Sequence, residues 1–140
     1  MSLDVTALRS SFELVVRRAP DLTSRFYEVL FARYPQAQAL FGRRSQRAQA
    51  DMLGAALGAV LDHLEDAPWL ATTLGALGEK HVHYGVTEEM YGWVGESLLA
   101  TLAEVAGPDW TPALERAWTD AYGAIASLMQ AGAAKVATAA

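Results

Sequence analysis

Apolar residues recur along this chain at the spacing of one helical face. Val5, Leu8, Phe12, Val15, Val16 and Ala19 form one stripe, and Leu22, Phe26, Val29 and Leu30 form a second after the break at Pro20-Asp21. Pro35 interrupts the second helix, and the stretch from Gln36 to Phe41 predicts a brief helical turn with Gly42 as its cap. After a polar loop through about Gln46, Leu53, Leu57, Val60, Leu61 and Leu64 predict a third long helix that ends before Asp66-Ala67-Pro68. A fourth is expected from about Trp69 to Tyr84, closed by Gly85. Thr87 and Glu88-Glu89 then open a fifth, carrying Tyr91, Val94, Leu98, Leu102 and Val105. Gly107-Pro108-Asp109 breaks the pattern, and Thr111-Pro112 starts a last helix with Leu114, Trp118, Ala121, Ile125 and Leu128. No strand pattern competes. The expectation is an all-α domain over residues 1–131, with an Ala-rich tail over 132–140 that frays.

Length and composition narrow the class. A chain of 140 residues can bury roughly two thirds of its unfolded surface, enough for one core. Hydrophobic residues make up 52%, yet no run reaches the ~18 apolar residues needed to span a membrane. The first residues show no basic segment leading into an apolar one, so a cytoplasmic location is expected, with no membrane partner. A net charge of −5 argues against nucleic acid. The one basic cluster, Arg43, Arg44 and Arg47, is short and reads as a solvated connector. No phosphate loop or Ser/His/Asp arrangement is visible.

The chain has no cysteine and three histidines, so transition-metal ligation must rest largely on imidazole. His81 and His83 could chelate one ion only from a strand, because residues two apart on a helix point roughly 200° apart. Their Ala-, Leu- and Lys-containing surroundings favour a helix. One inward imidazole is too few ligands for a structural zinc site and enough for the axial position of a haem. His83 is expected at the surface or a haem edge, and His63, between Asp62 and Leu64-Glu65-Asp66, is expected to be solvated.

Specific residues then carry a resemblance. Phe26-Tyr27 with Phe31, Pro35 and Phe41, Gln49 with Leu53, Leu77-Gly78 through His81 to Tyr84-Gly85-Val86, Val94 through Leu99, and Ala117-Trp118 with Tyr122-Gly123 occur in an order similar to that of the globins. The chain most resembles bacterial single-domain globins, the haem domain of flavohaemoglobins and neuroglobin-like proteins, over about residues 4–130. This resemblance implies a globin fold of roughly six to eight helices around one haem b. Covalent attachment is excluded for want of cysteine.

The resemblance also assigns roles. His81 becomes the iron ligand through Nε2, its other ring nitrogen donating to a helix carbonyl. Phe41 lies against the porphyrin, with Leu53, Val86, Tyr91, Val94 and Leu98 around it and Lys80 near a propionate. Tyr27 can donate to bound dioxygen, or can be amphipathic core with its hydroxyl on a backbone carbonyl. Gln49 can add a second donor; Gln46 or Arg47 are its rivals, since the loop over 42–48 is short. No Asp or Glu follows Asp120, so the late-helix glutamate that strengthens the proximal imidazole in flavohaemoglobins has no counterpart.

The implied function is reversible dioxygen binding, in carriage or gas sensing, with carbon monoxide and nitric oxide as further ligands. The alternative is nitric oxide dioxygenation with a separate reductase, because 140 residues leave no room for flavin and nicotinamide domains. A haem-free interaction module would have no need of both His81 and Phe41, and a cytochrome-like carrier would need a second strong axial ligand. Met52 reads as helix packing rather than as that ligand. A monomer or a homodimer is expected.

Overall fold

In a computed structural model, which describes residues 3–41 and 45–139, the chain is helical throughout. Helices α1 (Val5–Arg18) and α2 (Leu22–Arg33) lead into a 3₁₀ segment (Pro35–Phe41), followed by α3 (Gln46–Asp62), α4 (Ala67–His83) and α5 (Glu88–Ala106). A short 3₁₀ turn (Gly107–Asp109) then joins α5 to α6 (Pro112–Ala139). The expected cap at Gly42, Arg43, Arg44 and the side chain of Gln46 lie outside the described residues. No described helix is long and apolar enough to cross a membrane.

Side chains set several helix starts. Asp4, Ser45, Asp66 and Thr111 each accept a hydrogen bond from the backbone N–H three residues on, all at 3.1 Å. Each such cap contributes about 1 kcal/mol. The Asp66 cap is also why α4 begins at Ala67 rather than at about Trp69. At the other end of α4, Gly85 turns the chain with φ of +84°, a conformation that a Cβ disfavours.

Two apolar clusters form the interior. The larger gathers Leu8 and Val15 from α1, Phe26, Tyr27 and Leu30 from α2, Leu98 and Leu102 from α5, and Trp118 from α6. Trp118 is buried without an orphaned indole, since it donates to Ser11 Oγ at 2.9 Å and Ser11 in turn donates to Ala7 O at 2.7 Å. The smaller cluster gathers Val60, Leu74, Tyr91, Ala126 and Met129. Leu64 and Tyr122 pack against both.

The smaller cluster is closed by backbone as much as by side chains. A Cβ added to Gly78 of α4 would lie 1.8 Å from the Met129 carbonyl oxygen of α6, and one on Gly132 would lie 2.0 Å from the Gly75 carbonyl oxygen. The two helices therefore touch main chain to main chain over this stretch. Beyond residue 131, where a fraying tail is expected, α6 runs on as helix to Ala139, and Gly132 is buried against α4. Two smaller expectations also change. Val16 is 38% exposed, because the buried stripe of α1 runs through Leu8, Ser11 and Val15. His63 is not simply solvated: its ring stacks on Trp69 at 3.8 Å, with Nδ1 2.8 Å from Ala59 O.

Candidate functional site

His81 occupies the last turn of α4, with its ring half-buried. Its Nδ1 lies 2.7 Å from Leu77 O, one turn back along the same helix. A carbonyl oxygen only accepts, so Nδ1 carries a proton, and Nε2 is the nitrogen whose lone pair a metal could take from the neutral form. The Leu77 bond thus fixes both the tautomer and the direction of the ring. Gly78, next to Leu77, is the residue in backbone contact with α6. The helix segment that orients the imidazole is therefore itself held from behind. His83 points elsewhere and is exposed, as two residues of one helix must.

Tyr91 of α5 stands beside His81, its ring roughly parallel at 6.5 Å between centroids. Its hydroxyl is buried with no hydrogen-bond partner among the described residues, and burial raises its pKa above the usual phenol value. Behind it, Tyr122 donates to Tyr91 O at 2.6 Å, and its ring packs where a Cβ on Gly95 would otherwise sit, 2.7 Å from Cε2. Burial, the larger cause, and the neighbouring Tyr91 together push the Tyr122 phenol well above its ordinary range. Val86 joins the same cluster, and its N–H donates to His81 O at 3.0 Å.

The larger cluster contributes a knot of rings. Tyr27 lies 5.3 Å from Phe41 and 5.8 Å from Phe31, and Phe31 lies 5.5 Å from Phe41, mostly edge to face. The Tyr27 ring is buried, its hydroxyl makes no hydrogen bond among the described residues, and desolvation raises its pKa from 10.0 to about 12. It is therefore a neutral phenol with a proton to give. No backbone carbonyl among the described residues accepts from it.

Leu53 and Val94 are half-buried against this cluster, and Leu98 is within it. Tyr91, Val94 and Leu98 lie three and four residues apart, so one face of α5 runs from the smaller cluster to the larger. Leu40 also meets the corner after α4, with its Cδ2 3.9 Å from where a Cβ of Gly85 would be.

The remaining candidates stand further out. Gln49 is half-buried in the first turn of α3, and its side chain makes no hydrogen bond among the described residues. Arg47, one of its rivals, is exposed. Lys80 is exposed and has no ion pair among the described residues. Met52 is 54% exposed. The sequence reading missed the Tyr122–Tyr91 bond and the backbone contact behind Leu77. Glycines three apart on α4, with another in α6, are the signal that could have revealed the contact.

A haem is compatible with this donor set. No three His, Cys, Asp or Glu side chains are grouped to hold a metal ion among the described residues, so an iron would need ligands of its own. His81 offers one oriented ring nitrogen; Tyr91 offers a buried hydroxyl that lacks a partner among the described residues, and Tyr27 offers a hydroxyl on a buried ring.

Comparison with known proteins agrees. The family described as Globin matches residues 24–129. Flavohemoproteins of Rhodopirellula baltica and Bordetella pertussis are each 33% identical to this chain, over 82% and 92% of its length but only 29% and 33% of their own. The chain thus spans about a third of these curated relatives. Among solved structures, an engineered carbene transferase from Rhodothermus marinus, described as a candidate nitric oxide dioxygenase, superposes with a TM-score of 0.85 at 26% identity, covering 99% of this chain and 98% of that one. A bacterial globin of Campylobacter jejuni gives a TM-score of 0.82 at 26% identity, covering 96% of each chain.

Proposed function

Since the chain belongs to the globin family, we propose that it holds one haem b non-covalently, with Nε2 of His81 as the protein's single ligand to iron, and that it binds dioxygen reversibly on the Tyr27 side. When bound, the haem would supply an iron able to take a diatomic gas. The chain's own residues supply orientation, exclusion of water and a proton donor. Leu77 O sets the imidazole, and Phe41, Leu53, Val86, Val94 and Leu98 offer an apolar lining. Tyr91 flanks His81, and Lys80, exposed on the same turn, is assigned to a propionate.

Tyr27 distinguishes between gases. Its hydroxyl makes no hydrogen bond among the described residues and would donate more strongly to dioxygen than to carbon monoxide, which would carry less negative charge there. A hydrogen bond to a charged acceptor contributes about 1.5–3 kcal/mol, or roughly ten- to hundredfold in escape rate. Gln49 is the candidate for a second donor, and as an amide it is a poor iron ligand.

The observation that carries this reading is the single imidazole locked in one tautomer by Leu77 O at 2.7 Å, in a chain with no other grouped metal ligands among the described residues. Its test is a gas titration of reduced, haem-loaded protein. Dioxygen should bind and be removed by vacuum with the ferrous spectrum restored, and immediate one-way oxidation would contradict reversible binding.

The flavohemoprotein relatives and the Rhodothermus neighbour favour a second reading, nitric oxide dioxygenation to nitrate. Repeated turnover would draw electrons from a separate reductase, which is the macromolecular partner this reading requires. Oxygen-loaded protein should convert one equivalent of nitric oxide to nitrate and then stop until a flavin reductase is supplied. Continuous consumption with NADH alone would show electron entry through these 140 residues themselves.

A further inference from the structure

Away from the His81 site, the end of α2 and the middle of α5 bring together three side chains with a chemistry of their own. The Tyr34 ring stacks on Trp93, with centroids 4.9 Å apart and planes within 10° of parallel. The Tyr34 hydroxyl donates to the Glu96 carboxylate, one helical turn along α5 from Trp93. Both rings are half-buried against the larger core cluster, so the stack is held in place while its edge meets water. The hydrogen bond to Glu96 is the main cause that raises the Tyr34 phenol above its usual pKa, so Tyr34 keeps its proton beside a carboxylate side chain that can accept it.

The other tyrosines lack such a base. Tyr122 donates to an amide carbonyl, which does not take up a proton, and Tyr91 has no partner among the described residues. The hydroxyls of Tyr27 and Tyr84 make no hydrogen bond among the described residues. Tyr84 is the more accessible competitor, at 55% exposure.

A phenol gives up an electron far more easily when its proton has somewhere to go. Oxidation without proton loss leaves a strongly acidic radical cation, whereas oxidation coupled to transfer onto a carboxylate leaves a neutral radical. From the stack and its carboxylate we infer that Tyr34, Trp93 and Glu96 form a redox-active unit and that Tyr34 is the chain's preferred site of one-electron oxidation and nitration. This assignment is independent of the haem reading.

With nitrogen dioxide as oxidant the step balances. One molecule takes an electron from Tyr34 and becomes nitrite, while the hydroxyl proton passes to Glu96. A second molecule bonds to the ring carbon beside the oxygen, and the hydrogen on that carbon moves to the oxygen as the ring regains aromaticity. The product is 3-nitrotyrosine. When Trp93 is oxidised first, losing an electron to the oxidant and a proton to water, its neutral radical takes an electron and a proton back as Tyr34 is oxidised, so damage moves from the indole to the phenol.

The test exposes the full chain, with and without haem, to nitrogen dioxide generated by radiolysis and maps the modified residues by mass spectrometry. Tyr34 should be nitrated in preference to Tyr84 despite lower exposure. Glu96→Gln, which keeps a hydrogen-bond acceptor and removes the base, should lower the yield at Tyr34 relative to Tyr84 about tenfold, the ratio that a charge-assisted hydrogen bond gives. In Tyr34→Phe, modification should appear at Trp93. Nitration that follows exposure, with Tyr84 ahead of Tyr34 in the unaltered chain, would overturn the assignment. So would a Glu96→Gln chain nitrated at Tyr34 as readily as its parent.

Discussion

The two halves of the candidate site are held by different means. Behind His81, main chain meets main chain: Gly78 and Gly132 bring α4 and α6 so close that neither position has space for a methyl group. Around Tyr27, side chain meets side chain, and Phe31 and Phe41 fix the phenol through one tilted and one edge-on ring contact that small ring movements can preserve. Backbone contact cannot relax by changing a rotamer, whereas a ring cluster can. The difference suits the division of labour proposed for the two halves, since a metal ligand must be held at one place while a pocket that admits a gas tolerates adjustment.

The largest expected effect tests the rigid half. Gly78→Ala should destabilise the fold by about 3 kcal/mol or more, because α4 must move bodily away from the Met129 carbonyl. The same substitution at Gly58, which has nothing within 4 Å of a new Cβ, should instead stabilise α3 by roughly 0.5–1 kcal/mol. Urea midpoints of the pair check the contrast, and equal shifts would remove the claim that backbone contact sets the position of α4.

Next comes the adjustable half. Phe41→Ala removes a ring that touches both Tyr27 and Phe31 but is only half-buried, so a loss of about 2 kcal/mol is expected, below the usual cost for a fully buried ring. Thermal unfolding measures it, and a loss exceeding that of Gly78→Ala would invert the comparison. Tyr27→Phe keeps the ring and deletes the hydroxyl. Dioxygen should then dissociate at least about tenfold faster, with carbon monoxide much less affected. Equal acceleration of both gases would point to altered packing instead.

How much of this was legible in the sequence differs between the same two halves. Phe26 declares itself by spacing and His81 by its scarcity and its helical neighbours, while Tyr27, Phe31 and Phe41 stand out only through the resemblance to globins. The approach of α4 to α6 was not legible, because a glycine in a helix reads as a weak helix former until the facing backbone is known. The helical end of α6 is hard to read for the same reason. An Ala- and Gly-rich stretch has little apolar side chain to mark it as packed, yet small residues are what let Gly132 sit against Gly75. Tyr91 and Tyr122 were visible as residues, but the bond between them depends on where α6 crosses α5.

The smallest predicted effect is one of pH. Burial raises the Tyr27 phenol from 10.0 to about 12, so the unfolded chain ionises there before the folded one does. Between those values the unfolded state holds fewer protons, and stability should fall as pH rises; below about pH 10 this tyrosine should contribute no pH dependence. Tyr27→Phe should flatten that part of the alkaline unfolding curve. An unchanged slope would mean that the phenol is not desolvated in the folded chain.

The central claim is that one imidazole, His81, would be the protein's single ligand to a haem iron, with Tyr27 as a donor to bound gas. Absorption and resonance Raman spectra of the reduced, haem-loaded protein test it most directly. The account predicts a five-coordinate, high-spin haem with an iron–histidine stretch, ready binding of carbon monoxide, and loss of that stretch in His81→Ala while helical content persists. A six-coordinate, low-spin spectrum without added ligand, or an iron–histidine stretch that survives in His81→Ala, would contradict it.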